Sequence, residues 1–194
     1  MIVLGLTGSI GMGKTTAARI FRQLGVPVFD ADRCVHDLYE GAAVETLARI
    51  FPTVIQEGRI NRDALGALVL NDAKGMSKLE SVIHPLVLTK RFDFIGKMRS
   101  SGRRLIVVDV PLLFETGASA NVDAIVVVSA RASDQRERVL SRPGMDEAKL
   151  VSILKRQLPD VEKRRRAHFV VQTSGDLAST RRQLMVIIAS VISR

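Results

Sequence analysis

Gly8-Ser9-Ile10-Gly11-Met12-Gly13-Lys14-Thr15 fits the pattern G-x-x-x-x-G-K-[ST] at every position. These residue types suit a polyphosphate. Glycines allow positive φ and let phosphate oxygens approach the backbone closely. Successive N–H groups can then point inward as an anion nest, at the positive end of a helix opening near Lys14. In this pattern Lys14 reaches the β- and γ-phosphates of a nucleoside triphosphate, and Thr15 offers a hydroxyl to Mg2+. Eight residues can also match by chance in a glycine-rich turn, so the setting decides. Here an apolar strand precedes the loop and a helix follows it, which points to a phosphotransferase.

Four further positions can carry chemistry. Asp109 ends an apolar strand, where an acid can hold Mg2+ through water or cap the turn at Val110-Pro111; the metal-linked reading is favoured. Asp30-Ala31-Asp32 follows another strand on the same sheet edge as the loop. Asp32 can accept or orient the proton of an acceptor hydroxyl, and either aspartate can instead cap the helix from Arg33. His84, before Pro85, reads first as a helix-end histidine in a turn. Arg142, in Ser141-Arg142-Pro143-Gly144, can close over phosphates or remain a solvated surface cation.

These residues need a frame. Ile2 to Thr7 reads as a buried strand. Lys14 to Leu24 has helical spacing, with Ala17, Ala18, Phe21 and Leu24 on one side and Gly25 as the stop. Val26 to Phe29 is a second strand, so the loop lies inside a βαβ unit, which implies a parallel sheet with a right-handed crossover. Residues 33 to 100 read as a helical block without strands. Gly41 interrupts it, Val44 to Phe51 begins a new helix, and Pro52 to Arg59 is a loop. Asn61 caps a helix through Leu70, Asp72 caps one through Ile83, and Pro85 marks a boundary. Leu105 to Asp109, Ala124 to Val128 and Phe169 to Val171 complete the strands. A polar helical segment from Ala132 breaks at Pro143-Gly144 and restarts near Asp146. Residues 176 to 193 close the chain as an amphipathic helix with Leu177, Leu184, Ile188 and Val191 on one face.

The bulk composition narrows the function. The 194 residues suit a single domain with small insertions, and aromatic residues make up only 4%, with no Trp. The apolar runs are strand-sized and the start MIVLGLTG lacks a basic leader, so neither a membrane span nor a signal peptide is expected. The single Cys34 fits a reducing, cytoplasmic setting and reads as a plain, partly buried small side chain. A net charge of +9 attracts anions. The dense basic run, Lys163-Arg164-Arg165-Arg166, has no aromatic neighbour before Phe169, so nucleic acid is not the expected partner. A GTPase would want N-K-x-D and D-x-x-G, and neither Asn71-Asp72-Ala73-Lys74 nor Asp109-Val110-Pro111-Leu112 supplies them.

Taken in order, LTGSIGMGKTT, VFDADR, the IHP of the helical block, VVDVPLLFETG and ILKRQLPDVEKRRRAHFVV resemble the dephospho-CoA kinase family over nearly the whole chain. The resemblance implies a P-loop kinase core, an α/β fold with a five-stranded parallel sheet flanked by helices. It adds a helical acceptor-binding insertion and a mobile lid. Residues 1–32, 101–130 and 167–194 would form the core, 33–100 the acceptor-binding region and 131–166 the lid. The implied reaction moves the γ-phosphate of ATP, with Mg2+, to the ribose 3′-hydroxyl of dephospho-CoA, the last step of coenzyme A synthesis. Gly8, Gly11, Met12, Gly13, Lys14, Thr15 and Thr16 would bind ATP. Asp32 would be the base, Arg142 the lid arginine, and His84 with Leu112, Leu113 and Glu115 would contact the acceptor or shape its pocket. Two departures stand out: Ala167 to Gln172 differs from the family's ADxVIxN, and Arg142 precedes Pro143 where the family often has Asp. Another small-molecule P-loop kinase is the nearest rival, and the DAD, HP and DVPLLFE segments argue against it.

Overall fold

The computed structural model describes residues 1–70 and 72–193; Asn71 and Arg194, the last residue of the expected core segment, lie outside the described residues. The chain divides into two compact units, Met1–Phe29 with Met98–Arg194, and Asp30–Lys97. The strands are β1 (Ile2–Thr7), β2 (Val28–Asp30), β3 (Ile55–Gln56), β4 (Arg59–Ile60), β5 (Leu105–Asp109), β6 (Ala124–Ser129) and β7 (Phe169–Gln172). The α-helices are α1 (Lys14–Gln23), α2 (Ala31–Tyr39), α3 (Val44–Ile50), α4 (Arg62–Val69), α5 (Ala73–Ser100), α6 (Ala132–Leu140), α7 (Glu147–Lys155), α8 (Asp160–Arg166) and α9 (Leu177–Ile192).

Five strands form one sheet in the order β2-β5-β1-β6-β7. β1 pairs in parallel with β5 and β6, and β6 in parallel with β7. Strands covered on both faces read as unbroken apolar runs, and β1, β5 and β6 do so. The register sets Leu6 opposite Asp109 and Thr7 opposite Val127, so the chain leaves β1 for the phosphate loop level with the end of β5. The core against this sheet is mainly aliphatic around one aromatic ring, with Ala17, Ala18, Ile20 and Phe21 from α1 and Leu184, Ile187 and Val191 from α9. The expected face of α9 changes in one respect: Leu177 in its first turn is exposed, because the helix bears on the sheet only from Thr180 onward.

The end of α1 shows how locally the chain is specified. Gly25 takes φ 78°, its N–H donates to Arg22 C=O, and the Val26 N–H donates to Phe21 C=O at 3.0 Å. This pair of bonds closes the last turn, and the left-handed residue at its centre favours glycine.

The Asp30–Lys97 unit departs from the expected strand-free block. Ile55–Gln56 and Arg59–Ile60 pair as a short antiparallel hairpin, and Glu57 and Gly58 both take positive φ. Such a two-residue turn matches the twist of the strands it joins, and Ile60 anchors the hairpin in the unit's apolar cluster. Residues Pro52–Val54 form a 3-10 turn rather than loop. The second correction is at Pro85, which lies inside α5 instead of ending a helix. A proline there forfeits one N–H bond and crowds the carbonyl four residues back. That carbonyl belongs to Ser81, which is exposed to water, while Leu79 and Ile83 before the proline are buried and Leu86 and Val87 after it pack against the same cluster. Packing of the apolar face thus outweighs a local cost of about 3 kcal/mol. Asn61 caps α4 as expected, accepting from the Ala64 N–H at 3.0 Å.

Candidate active site

The phosphate loop leaves β1 at Gly8 and enters α1 at Lys14, with Gly11 and Gly13 at φ 77° and 88°. Only glycine holds such angles without strain. Gly8 is required for a different reason. A Cβ there would lie 2.4 Å from Val128 Cγ2 and 2.7 Å from the Val128 carbonyl, so β6 leaves no room for a side chain. Met12 is buried, and its Sδ accepts from the Ala130 N–H at 3.0 Å. Thr15 is exposed on the first turn of α1 and Thr16 is half-buried.

Lys14 and Asp109 are brought together. Lys14 Nζ lies 2.7 Å from Asp109 Oδ1, with the carboxylate only 3% exposed and the lysine 15%. The strands fix this meeting: Asp109 ends β5 beside β1, the Val110 N–H donates to Leu6 C=O, and Thr7 Oγ1 donates to Pro111 C=O at 2.9 Å. Thr15 and Asp109 together offer hydroxyl and carboxylate oxygens, the donors that Mg2+ prefers when substrate phosphates complete its shell.

The segment after β5 is held by its own members. Leu113 is fully buried with Ile125 and Val127, whereas Leu112 is exposed, so of the two only Leu112 presents its side chain outward. Glu115 Oε1 accepts from the Leu158 N–H at 2.7 Å and lies 2.9 Å from Lys163 Nζ. Lys163 is fully buried, and Glu115 is its ion-pair partner. Burial works to raise the Glu115 carboxyl, but Lys163 and the two backbone N–H groups together bring it below the usual value.

Asp30, not Asp32, caps α2: its Oδ1 accepts from the Arg33 N–H at 3.0 Å. Asp32 sits in the first turn of that helix and is exposed. His84 is exposed on α5. Cys34 is half-buried beside the apolar cluster of its unit, and burial, then Asp37, raises its thiol. Arg142 is exposed in the turn between α6 and α7, which Asp146 caps by accepting from the Lys149 N–H. Gln172 is tied by its backbone to Gln183 of α9 at 2.9 Å in both directions.

Several residues that touch the phosphate loop carry no sequence signal of their own. Gln157 Oε1 accepts from the Ile10 N–H at 3.1 Å, and Gln135 Nε2 donates to Ile10 C=O at 2.7 Å. Arg138 donates to Thr173 C=O at 2.6 Å, to Thr173 Oγ1 at 3.1 Å and weakly to Gly11 C=O at 3.4 Å. Thr173 Oγ1 in turn donates to Met12 C=O at 2.9 Å. Gln135 and Arg138 lie three apart on α6, but that helix is polar nearly throughout, so the spacing does not mark them out.

A profile of the dephospho-CoA kinase family matches residues 2–179. A dephospho-CoA kinase of Brucella melitensis is 51% identical over 191 residues, covering 98% of this chain and 96% of its own. One from Mesorhizobium japonicum is 50% identical over 188 residues, covering 97% and 95%. Among solved structures, a Thermus thermophilus protein at 33% identity superposes with a TM-score of 0.86, covering 97% of both chains. A dephospho-CoA kinase from Campylobacter jejuni, at 22% identity, shares the fold with a TM-score of 0.69 over 97% of this chain and 96% of that one. No helix among the described residues is long and apolar enough to cross a membrane. With a phosphate loop built as above and a match that runs almost from end to end, the chain belongs to the dephospho-CoA kinase family.

Proposed function

We propose that this enzyme transfers the γ-phosphoryl group of ATP to the ribose 3′-hydroxyl of dephospho-CoA, giving CoA and ADP. The observation that carries the reading is the Lys14–Asp109 pair at 2.7 Å, seated where the glycine loop leaves the sheet, in a chain of this family. A lysine held by a buried carboxylate is pre-placed: when phosphates enter, it exchanges one anionic partner for another without having to be ordered first. The backbone of Gly11 to Thr16 receives the polyphosphate, and Lys14 balances charge that builds on the transferred group.

Asp32 serves as the acceptor's base. It takes the proton of the ribose hydroxyl as that oxygen bonds to the γ-phosphorus and the bond from that phosphorus to the β–γ bridging oxygen breaks, releasing ADP. Asp30 caps α2, and Asp32 stands exposed in the first turn of that helix, where a carboxylate can meet the acceptor. Arg142, exposed on the α6–α7 turn, closes over the phosphates as part of a lid drawn from residues 131–166. His84 and Leu112 face the acceptor, while Leu113 and Glu115 hold the segment that carries Leu112. Thr15 and, through water, Asp109 are the residues that would hold Mg2+, which when bound neutralises phosphate charge. The enzyme works in the cytoplasm on soluble substrates.

The test is a coupled assay of ADP release with ATP and dephospho-CoA, run against nucleosides and nucleotides as alternative acceptors, with 31P NMR of the product. A new phosphomonoester on dephospho-CoA is the expected result. Equal turnover of a nucleoside or nucleotide, or no ADP release with dephospho-CoA, overturns the reading.

A further inference from the structure

The phosphate loop owes its shape to glycines at Gly11 and Gly13, and glycine occupies positive and negative φ with similar ease. Nothing intrinsic to those residues keeps their peptide planes in one orientation, so the constraint must come from outside the loop. Three consecutive carbonyls supply it. Ile10 C=O accepts from Gln135 at 2.7 Å, Met12 C=O from Thr173 Oγ1 at 2.9 Å, and Gly11 C=O from Arg138 at 3.4 Å.

A peptide unit is planar, and its C=O points opposite to the N–H of the next residue. Tethering Ile10 C=O therefore fixes the direction of the Gly11 N–H, and tethering Met12 C=O fixes that of the Gly13 N–H. The long third contact governs the Met12 N–H, which already donates to Ser9 C=O inside the loop at 3.1 Å. The two short tethers thus fall on the two peptides whose N–H groups must be aimed from outside. We propose that Gln135 and Thr173 are positioning residues for nucleotide binding, which hold the peptide planes of the phosphate loop in the orientation a polyphosphate requires.

Both side chains are more than nine-tenths buried, as fixed tethers should be. The Thr173 hydroxyl has one proton and two carbonyls in reach, Met12 at 2.9 Å and Ser129 at 3.3 Å. The shorter contact, to Met12 C=O, is the better bond, and Arg138 donates from α6 to the acceptor side of the same hydroxyl. Arg138 also grips Thr173 C=O at 2.6 Å, so α6 and the end of β7 brace the loop together. Gln135 and Arg138 lie three apart on α6, on one face of the helix.

The inference rests on the nucleotide use proposed above, and the test separates the two. ADP is titrated by calorimetry into wild type, Thr173→Val, Thr173→Ser and Gln135→Met. Valine keeps the shape of threonine and removes the hydroxyl; methionine keeps the length of glutamine and removes the amide. Each of these two should weaken ADP roughly tenfold, the effect of a lost buried hydrogen bond on an affinity. KM for ATP should rise in parallel, while KM for dephospho-CoA changes by less than about twofold. Thr173→Ser should recover most of the loss. Should one variant fail to fold, the other still carries the measurement. Folded variants that melt at lower temperature yet bind ADP as tightly as wild type overturn the positioning role. A wild-type protein that binds no ADP overturns the proposed function itself.

Discussion

Buried polarity is divided unevenly between the two units. Among the described residues, Thr7, Ser9, Asp109, Ser129, Gln135, Lys163, Thr173 and Thr180 are buried in the unit formed by Met1–Phe29 and Met98–Arg194, and Arg91 alone in Asp30–Lys97. The first unit secures its phosphate loop with directional bonds, each needing a partner at a set distance and angle. The second coheres through Leu38, Leu47, Phe51, Val54 and Ile60, whose attraction is non-directional. A site that receives several negative charges needs dipoles held in advance. An apolar body can adjust its packing at modest cost, without having to fix each group.

The sharpest way to break this comparison lies in the apolar unit, which carries the proposed base. Asp32→Asn should lower kcat by about 10² to 10⁴ with little change in melting temperature, since Asp30 supplies the helix cap. Steady-state kinetics with varied dephospho-CoA decides: an effect confined to KM would make Asp32 a binding residue. Lys14→Ala should cost on the order of 10² to 10³ in kcat, the scale of one preorganised electrostatic contact. It also leaves Asp109 buried without its 2.7 Å partner, so some stability should go as well. Near-normal turnover by a folded Lys14→Ala protein would remove the basis of the assignment.

Arg142→Ala should depress kcat by roughly tenfold, more than it weakens ATP, and Arg142→Lys should restore only part, because lysine lacks the planar fork. Hydrogen exchange of residues 136–156 with both substrates bound gives the companion measurement, and exchange indifferent to ligands there would argue against a lid. The last pair tests stability. Glu115→Gln strips a fully buried ammonium of its counter-charge and should cost about 3 to 5 kcal/mol at neutral pH. Because the folded Glu115 carboxyl sits below its usual value near 4.5, its contribution is complete above that pH and lost as pH falls through the folded value. The gap in melting temperature between wild type and Glu115→Gln should therefore narrow in acid. Leu47→Ala should cost about 2 to 5 kcal/mol through its cavity, with no such convergence at low pH.

The sheet and the phosphate loop were legible because their signals are local. β1, β5 and β6 are unbroken apolar runs, and the loop's glycines answer to backbone angles and a close approach. Pro85 misled because its local cost is overridden by the buried face of α5, a tertiary effect. The hairpin at Ile55–Ile60 offered only two residues a side. The tethers were hidden for another reason: Gln135, Arg138 and Thr173 bond largely to backbone, and a polar residue facing a carbonyl reads the same as one facing water. Lys163 makes the point most sharply. It stands first in a run of four cations that reads as a solvated patch, yet it is fully buried while Arg164, Arg165 and Arg166 stay exposed. The roles of Asp32, Arg142 and His84 rest on the resemblance rather than on any local pattern.

The inserted position of the Asp30–Lys97 unit has a consequence for synthesis on the ribosome. That unit draws its apolar cluster from one contiguous stretch, so all its members have emerged once Lys97 has. β1 emerges first but finds its neighbours only in Leu105–Asp109 and Ala124–Ser129, and the sheet is not whole until β7. Pairings between distant segments form late, and an unpaired apolar strand is a hazard while it waits. When Lys97 has emerged, then, the nascent chain carries a helical body downstream of a still unpaired Ile-Val-Leu-Gly-Leu-Thr segment, and the contacts of Thr173 with the phosphate loop form only once the chain beyond β7 is made.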